Sequence, residues 1–100
     1  FLIFFNLILV IMQKIKDWCV YIVECFDKTL YTGITTDPER RIIEHNDSNK
    51  GAKYTRNRRP VNLVYLEKNH DKSTASKREI FIKKLSREDK LKLIGTEYLK

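Results

Sequence analysis

Trp18-Cys19-Val20-Tyr21-Ile22-Val23 and Leu30-Tyr31-Thr32-Gly33-Ile34-Thr35, separated by Phe26-Asp27-Lys28-Thr29, are the segments on which the fold turns. The first run is rich in β-branched and aromatic residues, which suits a short strand buried on both faces. The second reads as its antiparallel partner across the turn. Gly33 inside that partner marks a bulge or a place where something approaches the backbone closely.

After the hairpin a helix starts sharply. Asp37 is a good N-cap and Pro38 suits the first helical position. Thr36 and Glu39 also have capping-box spacing, so two caps are open. The helix runs through Arg41 and His45 to about Asn46. A polar, basic loop containing Gly51 spans Asp47 to Pro60, and Val61 to Leu66 reads as a third strand. Ser73 caps a second helix running to about Leu85. Ser86 caps a third, with Glu88 and Asp89 in the first turn, where carboxylates favour the helix dipole. It ends near Gly95. The order β-β-α-β-α-α predicts an α/β (α+β) domain over residues 12–94, a small three-stranded mixed sheet flanked by helices, with 95–100 as a tail.

Before the hairpin, Phe1 to Met12 is apolar except for Asn6. It is shorter than the ~20 residues of a membrane helix. A basic leader and a small-residue cleavage site, the marks of a signal peptide, do not flank it. Residues 1–11 read as an over-extended reading frame or fragment end, with a weak membrane or partner anchor as the alternative.

The chain has 100 residues, enough for one domain, and its 42% hydrophobic content excludes a disordered class. Its formal net charge is +7. Such an excess suits a polyanionic partner, because each neutralised phosphate releases counterions. The charge is concentrated in the C-terminal half. Lys50, Lys53, Arg56, Arg58 and Arg59 fall in one stretch without an acidic residue, and Lys72 to Lys92 is also predominantly basic. Cys19 and Cys25, if on one strand, are ~20 Å apart at ~3.3 Å per residue, too far for a disulfide. Unpaired thiols fit a reducing, cytoplasmic compartment. Neither cysteine has zinc-ligand spacing to a second cysteine or a histidine.

Several residues could carry chemistry, and each also has a structural explanation. Tyr21 and Tyr31 sit on neighbouring strands and could lie close together across the hairpin; a phenol can move a proton or hydrogen-bond a phosphate, or simply pack a sheet. Arg41 and His45 share a helical face, and a guanidinium fork matches phosphate oxygens. Glu79, at ~100° per residue, lies ~40° from Ala75 and ~60° from Ile82, at the edge of the apolar face. A lone carboxylate there suits Mg²⁺, which takes few protein oxygens; the alternative is an ion pair with Lys83. Tyr54, between Lys53 and Arg56, fits a basic loop that stacks and tracks nucleic acid.

Together the order and spacing are specific. Cys19-Val20-Tyr21, Tyr31-Thr32-Gly33, Arg41 early in the following helix and Glu79 in a later one resemble the GIY-YIG nuclease superfamily. The most specific part runs from Tyr31 to Arg41 and on through Glu44-His45-Asn46. Gly51 to Thr55, Arg59-Pro60-Val61 and Lys77-Arg78-Glu79 resemble its small stand-alone bacterial members. The resemblance implies a divalent-metal-dependent endonuclease acting on DNA, structure-specific and serving repair or processing, with RNA as a further substrate class. Tyr21 would be the general base or position the attacking water. Tyr31 would hold a phosphate oxygen or assist Tyr21. Arg41 would neutralise developing charge, and Glu79 would hold Mg²⁺ or Mn²⁺. His45 matches a helix histidine of some members. Gly33, Lys53, Tyr54, Arg56 and Arg58 would meet the substrate, and Lys90 is read as support for the carboxylate. Cys19 departs from the first glycine of the name motif. A non-catalytic nucleic-acid-binding module is the alternative function, predicting the same basic loop without a need for Glu79.

Overall fold

The computed structural model describes residues 16–98 and Leu7, with side chains as far as Gly95. Apart from Leu7, the run Phe1–Met12 and its reading as an extension or anchor lie outside the described residues. The elements are β1 (Trp18–Glu24), β2 (Leu30–Thr35), α1 (Pro38–Asp47), α2 (Lys53–Arg56), β3 (Asn62–His70), α3 (Lys72–Lys83) and α4 (Arg87–Tyr98). The expected α+β order therefore holds, with one short helix added.

The sheet has the order β2-β1-β3, and both pairings are antiparallel. It is not mixed. A strand-helix-strand connection ordinarily joins parallel neighbours. Here β2 and β3 do run the same way, but β1 lies between them, so no parallel pair forms. β1 is the central strand, and its residues from Cys19 to Val23 are buried. Alternation then divides them between two cores. Val20 and Ile22 pack with Tyr65, Ala75, Ile82 and Ile94 beneath α3 and α4. Tyr21 and Val23 pack with Cys25 and Val61 on the other face, flanked by Tyr31, Ile42 and Leu66. Both cysteines are buried and unpaired.

Caps explain where the helices begin. The Asp37 carboxylate accepts from the Arg40 backbone N–H at 3.1 Å, and Pro38 opens α1. Ser86 Oγ accepts from Asp89 N–H at 3.1 Å and starts α4. For α3 the cap is Asp71, not Ser73: its carboxylate accepts from Thr74 N–H at 2.8 Å, while Asp71 N–H donates to Thr74 Oγ1 at 3.2 Å. A reciprocal capping box satisfies two otherwise orphaned donors. Helix α3 begins earlier because β3 runs on to His70. The polar residues Glu67 to His70 extend an edge strand, where only one side needs ladder partners. Glu67 is held there by Tyr65 Oη at 2.6 Å, His70 Nε2 at 2.6 Å and Arg78 Nε at 3.1 Å. These bonds pin α3, and with it Glu79, to the sheet.

Candidate active site

The site is built on the α1 face of the sheet, around the Tyr21 hydroxyl. Tyr21 lies opposite Gly33 in β2 and Leu66 in β3. A Cβ at position 33 would sit 2.4 Å from the Tyr21 oxygen and 2.6 Å from Cζ. The close approach expected at Gly33 is thus made by the Tyr21 phenol itself, which lies across the bare backbone. Gly33 is buried beneath that ring. Gly33→Ala is expected to force the phenol aside, at a stability cost of about 1–3 kcal/mol. Urea unfolding and near-ultraviolet tyrosine signals would check it.

His45 is fully buried and completely tied. Its Nε2 lies 2.7 Å from Tyr21 Oη and its Nδ1 lies 3.0 Å from Thr55 Oγ1. Ala52 N–H also donates to Nδ1, at 3.3 Å. A histidine with no exposure does not itself touch a phosphate; its contact on that side is the Tyr21 hydroxyl. The end of α1 that carries it is clamped by two side chains. Arg59 Nε donates to the His45 carbonyl at 2.6 Å, and Arg59 Nη2 donates to that of Ser48. The Asn46 amide donates to the Val61 carbonyl at 3.1 Å and accepts from Val61 N–H at 2.7 Å.

Burial sets the electrostatics. It pushes the Tyr21 phenol up to about 12, with the neighbouring Tyr31 and Glu79 acting in the same direction and the Arg41 guanidinium opposing them. Burial also holds His45 down at about 4, aided by Arg41 and Arg59 and opposed by Glu44. The imidazole is therefore neutral at ordinary pH. Between its ordinary 6.5 and about 4, the unfolded chain binds a proton that the folded one refuses. Stability contributed by neutral His45 is fully present above that window and falls as the pH drops through it. The expected loss is ~3 kcal/mol. Urea unfolding of wild type and His45→Gln on either side of the window should show a shallower acid loss in the variant.

The other candidate residues surround this pair. Tyr31 packs edge-on to His45 with ring centroids 5.5 Å apart, and lies 6.5 Å from Tyr21. Tyr54 stacks on Tyr31 at 5.9 Å, and the Arg58 guanidinium lies 4.0 Å from the Tyr54 ring centroid. Arg58 is also paired with Asp27 at 3.1 Å and donates to the Tyr54 carbonyl, so it braces the loop at the surface. Lys53 and Arg56 are exposed on α2 beside them. Arg41 Nη1 donates to Glu44 at 3.0 Å and to the Lys50 carbonyl at 2.8 Å, which holds its guanidinium beside the Tyr21 hydroxyl.

Glu79 comes from the opposite side of the sheet. Its helix contributes Ala75 and Ile82 to the other core. Because β2 is an edge strand, no further strand separates that helix from the Tyr31 side. Lys83 reaches to 5.8 Å from the Tyr31 ring centroid, and the Glu79 carboxylate is 3.7 Å from Lys83 Nζ. Lys83, not Lys90, is thus the cation paired with Glu79. Among the described residues no group of three or more His, Cys, Asp or Glu could hold a metal ion. A single half-buried carboxylate fits Mg²⁺ or Mn²⁺ completed by water and phosphate oxygens, and does not fit a zinc site.

Thr55, Asn46 and Arg59 are contributors whose roles the sequence reading missed. Thr55 is fully buried although it falls in a basic loop. The only trace in the sequence is its place in the Gly51–Thr55 string, which carried the family resemblance without a role attached.

Residues 17–92 match the GIY-YIG catalytic domain family. The chain belongs to the GIY-YIG family. A UPF0213 protein of Desulfotalea psychrophila is 68% identical over 69 residues, which cover 69% of this chain and 63% of that relative. The match thus spans less than two thirds of that relative's length. The NMR structure of a UPF0213 protein from Bacillus halodurans is similar at 47% identity and a TM-score of 0.52, covering 79% of this chain and 83% of the other. The NMR structure of a protein from E. faecalis is similar at 43% identity and a TM-score of 0.59, covering 89% and 94%. The two halves of the GIY-YIG name motif are therefore β1 and β2. Cys19, in place of the first glycine, is buried in extended backbone, and among the described residues the positive-φ positions are Lys28 and Asn69. Nothing in the β1 geometry demands glycine at 19, whereas Tyr21 does demand it at 33. Among the described residues no helix is long and apolar enough to cross a membrane.

Proposed function

We propose that this chain is a divalent-metal-dependent endonuclease that hydrolyses phosphodiester bonds in DNA, with the reaction centred on the Tyr21 hydroxyl. The observation that carries this reading is a buried phenol held by His45, flanked by Arg41, and within electrostatic reach of Glu79.

In this reading Tyr21 takes up or orients the proton of the attacking water. Arg41 offers its guanidinium to the phosphoryl oxygens, where charge grows in the transition state. Tyr31 orients a phosphate oxygen or steadies Tyr21. Glu79 holds Mg²⁺ or Mn²⁺, which when bound supplies Lewis-acid stabilisation of the leaving oxygen. Lys53 and Arg56 guide the backbone of the strand, and the Tyr54–Arg58 stack gives its rings a firm support. Few side chains remain to read base edges, so structure-specific or non-specific cleavage in repair or processing suits this chain better than sequence-specific cutting.

The test is a panel of supercoiled plasmid, single-stranded, flapped and branched DNA, and an RNA strand, each with Mg²⁺, with Mn²⁺ and with chelator. Metal-dependent nicking or cleavage of DNA is expected. Tight, salt-sensitive binding with no product under any condition would favour the non-catalytic module instead.

A further inference from the structure

We propose that the Arg78–Glu67 pair fixes how far α3 is rolled about its own axis, and so turns Glu79 toward the β2 edge of the sheet, beside Tyr31. Its bearing on catalysis rests on the reading of Glu79 as the carboxylate that holds metal. Helix α3 packs against the sheet through Ala75 and Ile82. At ~100° per residue, Arg78 falls ~50° to one side of the line through those two residues and Glu79 ~50° to the other. Lys83 lies on the Glu79 side, and its Nζ is 5.8 Å from the Tyr31 ring centroid on β2. Arg78 reaches the other way, to Glu67 on β3, the opposite edge of the sheet. Apolar contact is non-directional. Two residues in one line hold the helix down but resist rolling about that line only weakly. A roll that released Arg78 would swing Glu79 and Lys83 relative to Tyr31.

Glu67 supplies the direction that apolar contact lacks. Arg78 Nε donates to both of its oxygens at 3.1 Å. Tyr65 Oη donates to one oxygen at 2.6 Å, and His70 Nε2 lies 2.6 Å from the other. Burial opposes ionisation of Glu67, but the bonds from Tyr65 and His70 and the Arg78 guanidinium prevail and hold its carboxyl below the ordinary range. The pair is therefore charged, and charge-assisted bonds are the stronger kind. Arg78 is itself steadied by the Phe81 ring, whose centroid is 5.3 Å from the guanidinium carbon. Thr74, inside the α3 capping box, lies 3.0 Å from His70 Nδ1 through its Oγ1, which ties the start of the helix to the same cluster. Glu67 and Arg78 are positioning residues in this scheme, since their contacts lie at the β3 edge.

The test reads the setting of α3 in the full chain, without reference to activity. In a ¹H–¹³C spectrum the Lys83 side-chain protons should be shifted upfield by the Tyr31 ring, and Tyr31→Leu should return them to ordinary positions. Glu67→Gln keeps the shape of the side chain but not its charge, and the Lys83 shift should collapse. Glu67→Gln combined with Arg78→Met removes both charges together, so no unpaired charge is left to unfold the chain, and it should give the same collapse. Asp71→Ala removes the α3 cap and lowers the melting temperature, yet should keep the wild-type shift. Ordinary Lys83 positions in wild type, an unchanged shift in the two Glu67 variants, or an equal collapse in Asp71→Ala would overturn the proposal. Line broadening by Mn²⁺ at Tyr31 and Glu79 gives a second readout. Its midpoint should rise about 10-fold in both Glu67 variants, as for groups that orient a metal ligand, and an unchanged midpoint would overturn the proposal as well. If Mn²⁺ broadened no signal near Glu79 in any of these proteins, the metal reading would fall, and the Lys83 shift would still decide the roll of α3.

Discussion

Glu79→Gln is expected to lower metal-dependent cleavage by about 10³-fold or more while leaving the fold and DNA affinity almost unchanged. The Glu79 carboxylate acts electrostatically on Tyr21, and among the described residues no cluster of ligands could replace it. A Lewis acid at the leaving oxygen contributes several kcal/mol to the transition state, and each 1.36 kcal/mol is about tenfold in rate. The folding cost is small by comparison. Glu79 is paired only loosely with Lys83, at 3.7 Å across one helical turn, and such surface pairs contribute ~0.3 kcal/mol. Thermal unfolding should therefore barely move, and the residual activity should respond weakly to added Mg²⁺. A large fall in melting temperature would show instead that Glu79 holds α3 in place.

Tyr21→Phe is expected to reduce the cleavage rate at saturating metal by about 10²–10⁴-fold, the range for removal of a general acid or base. Unlike the glutamine variant, it should retain the wild-type metal requirement, because Glu79 is untouched. It also carries a stability cost. The hydroxyl is the partner of His45 Nε2 at 2.7 Å, and that histidine has no exposed surface. Losing it leaves a buried ring nitrogen unpaired, which costs ~1–3 kcal/mol. Rates should be compared at a temperature where both proteins are folded by circular dichroism. A variant that cut DNA at half the wild-type rate would remove Tyr21 from the chemistry.

Much of this arrangement was legible in the sequence because strand alternation and helix spacing are local. The period of two in β1 puts Tyr21 opposite the face of Val20 and Ile22; that it stands against Gly33, with Val23 against Tyr31, comes from the strand register of the folded chain. Asp37-Pro38 starts α1 at a fixed point, so Arg41 and His45 follow on one face. Features that depend on tertiary contact were not legible. The polar run Glu67 to His70 looks like a loop until Arg78 arrives from α3 to pair with Glu67. Ser73 reads as the cap of α3, but β3 runs on to His70 and Asp71 takes that place. A threonine in a basic loop carries no mark of burial; Thr55 turns inward because α2 forms against the histidine. Arg58 reads as a free cation, yet it is committed to Asp27 and to the Tyr54 ring. Sheet direction was also beyond local rules, since it depends on β1 lying between β2 and β3.

In the proposed reaction a metal held by Glu79 and a phenol held by His45 act on the same phosphodiester. Single-turnover cleavage of an end-labelled flapped DNA, followed as Mg²⁺ is raised from zero, tests it most directly when wild type and Glu79→Gln are run side by side at equal bound fraction. The wild-type rate should saturate with Mg²⁺, and the variant should show a nearly flat, low rate. Equal rates for the two proteins, or wild type that binds the DNA and never cuts it at any Mg²⁺ concentration, would contradict it.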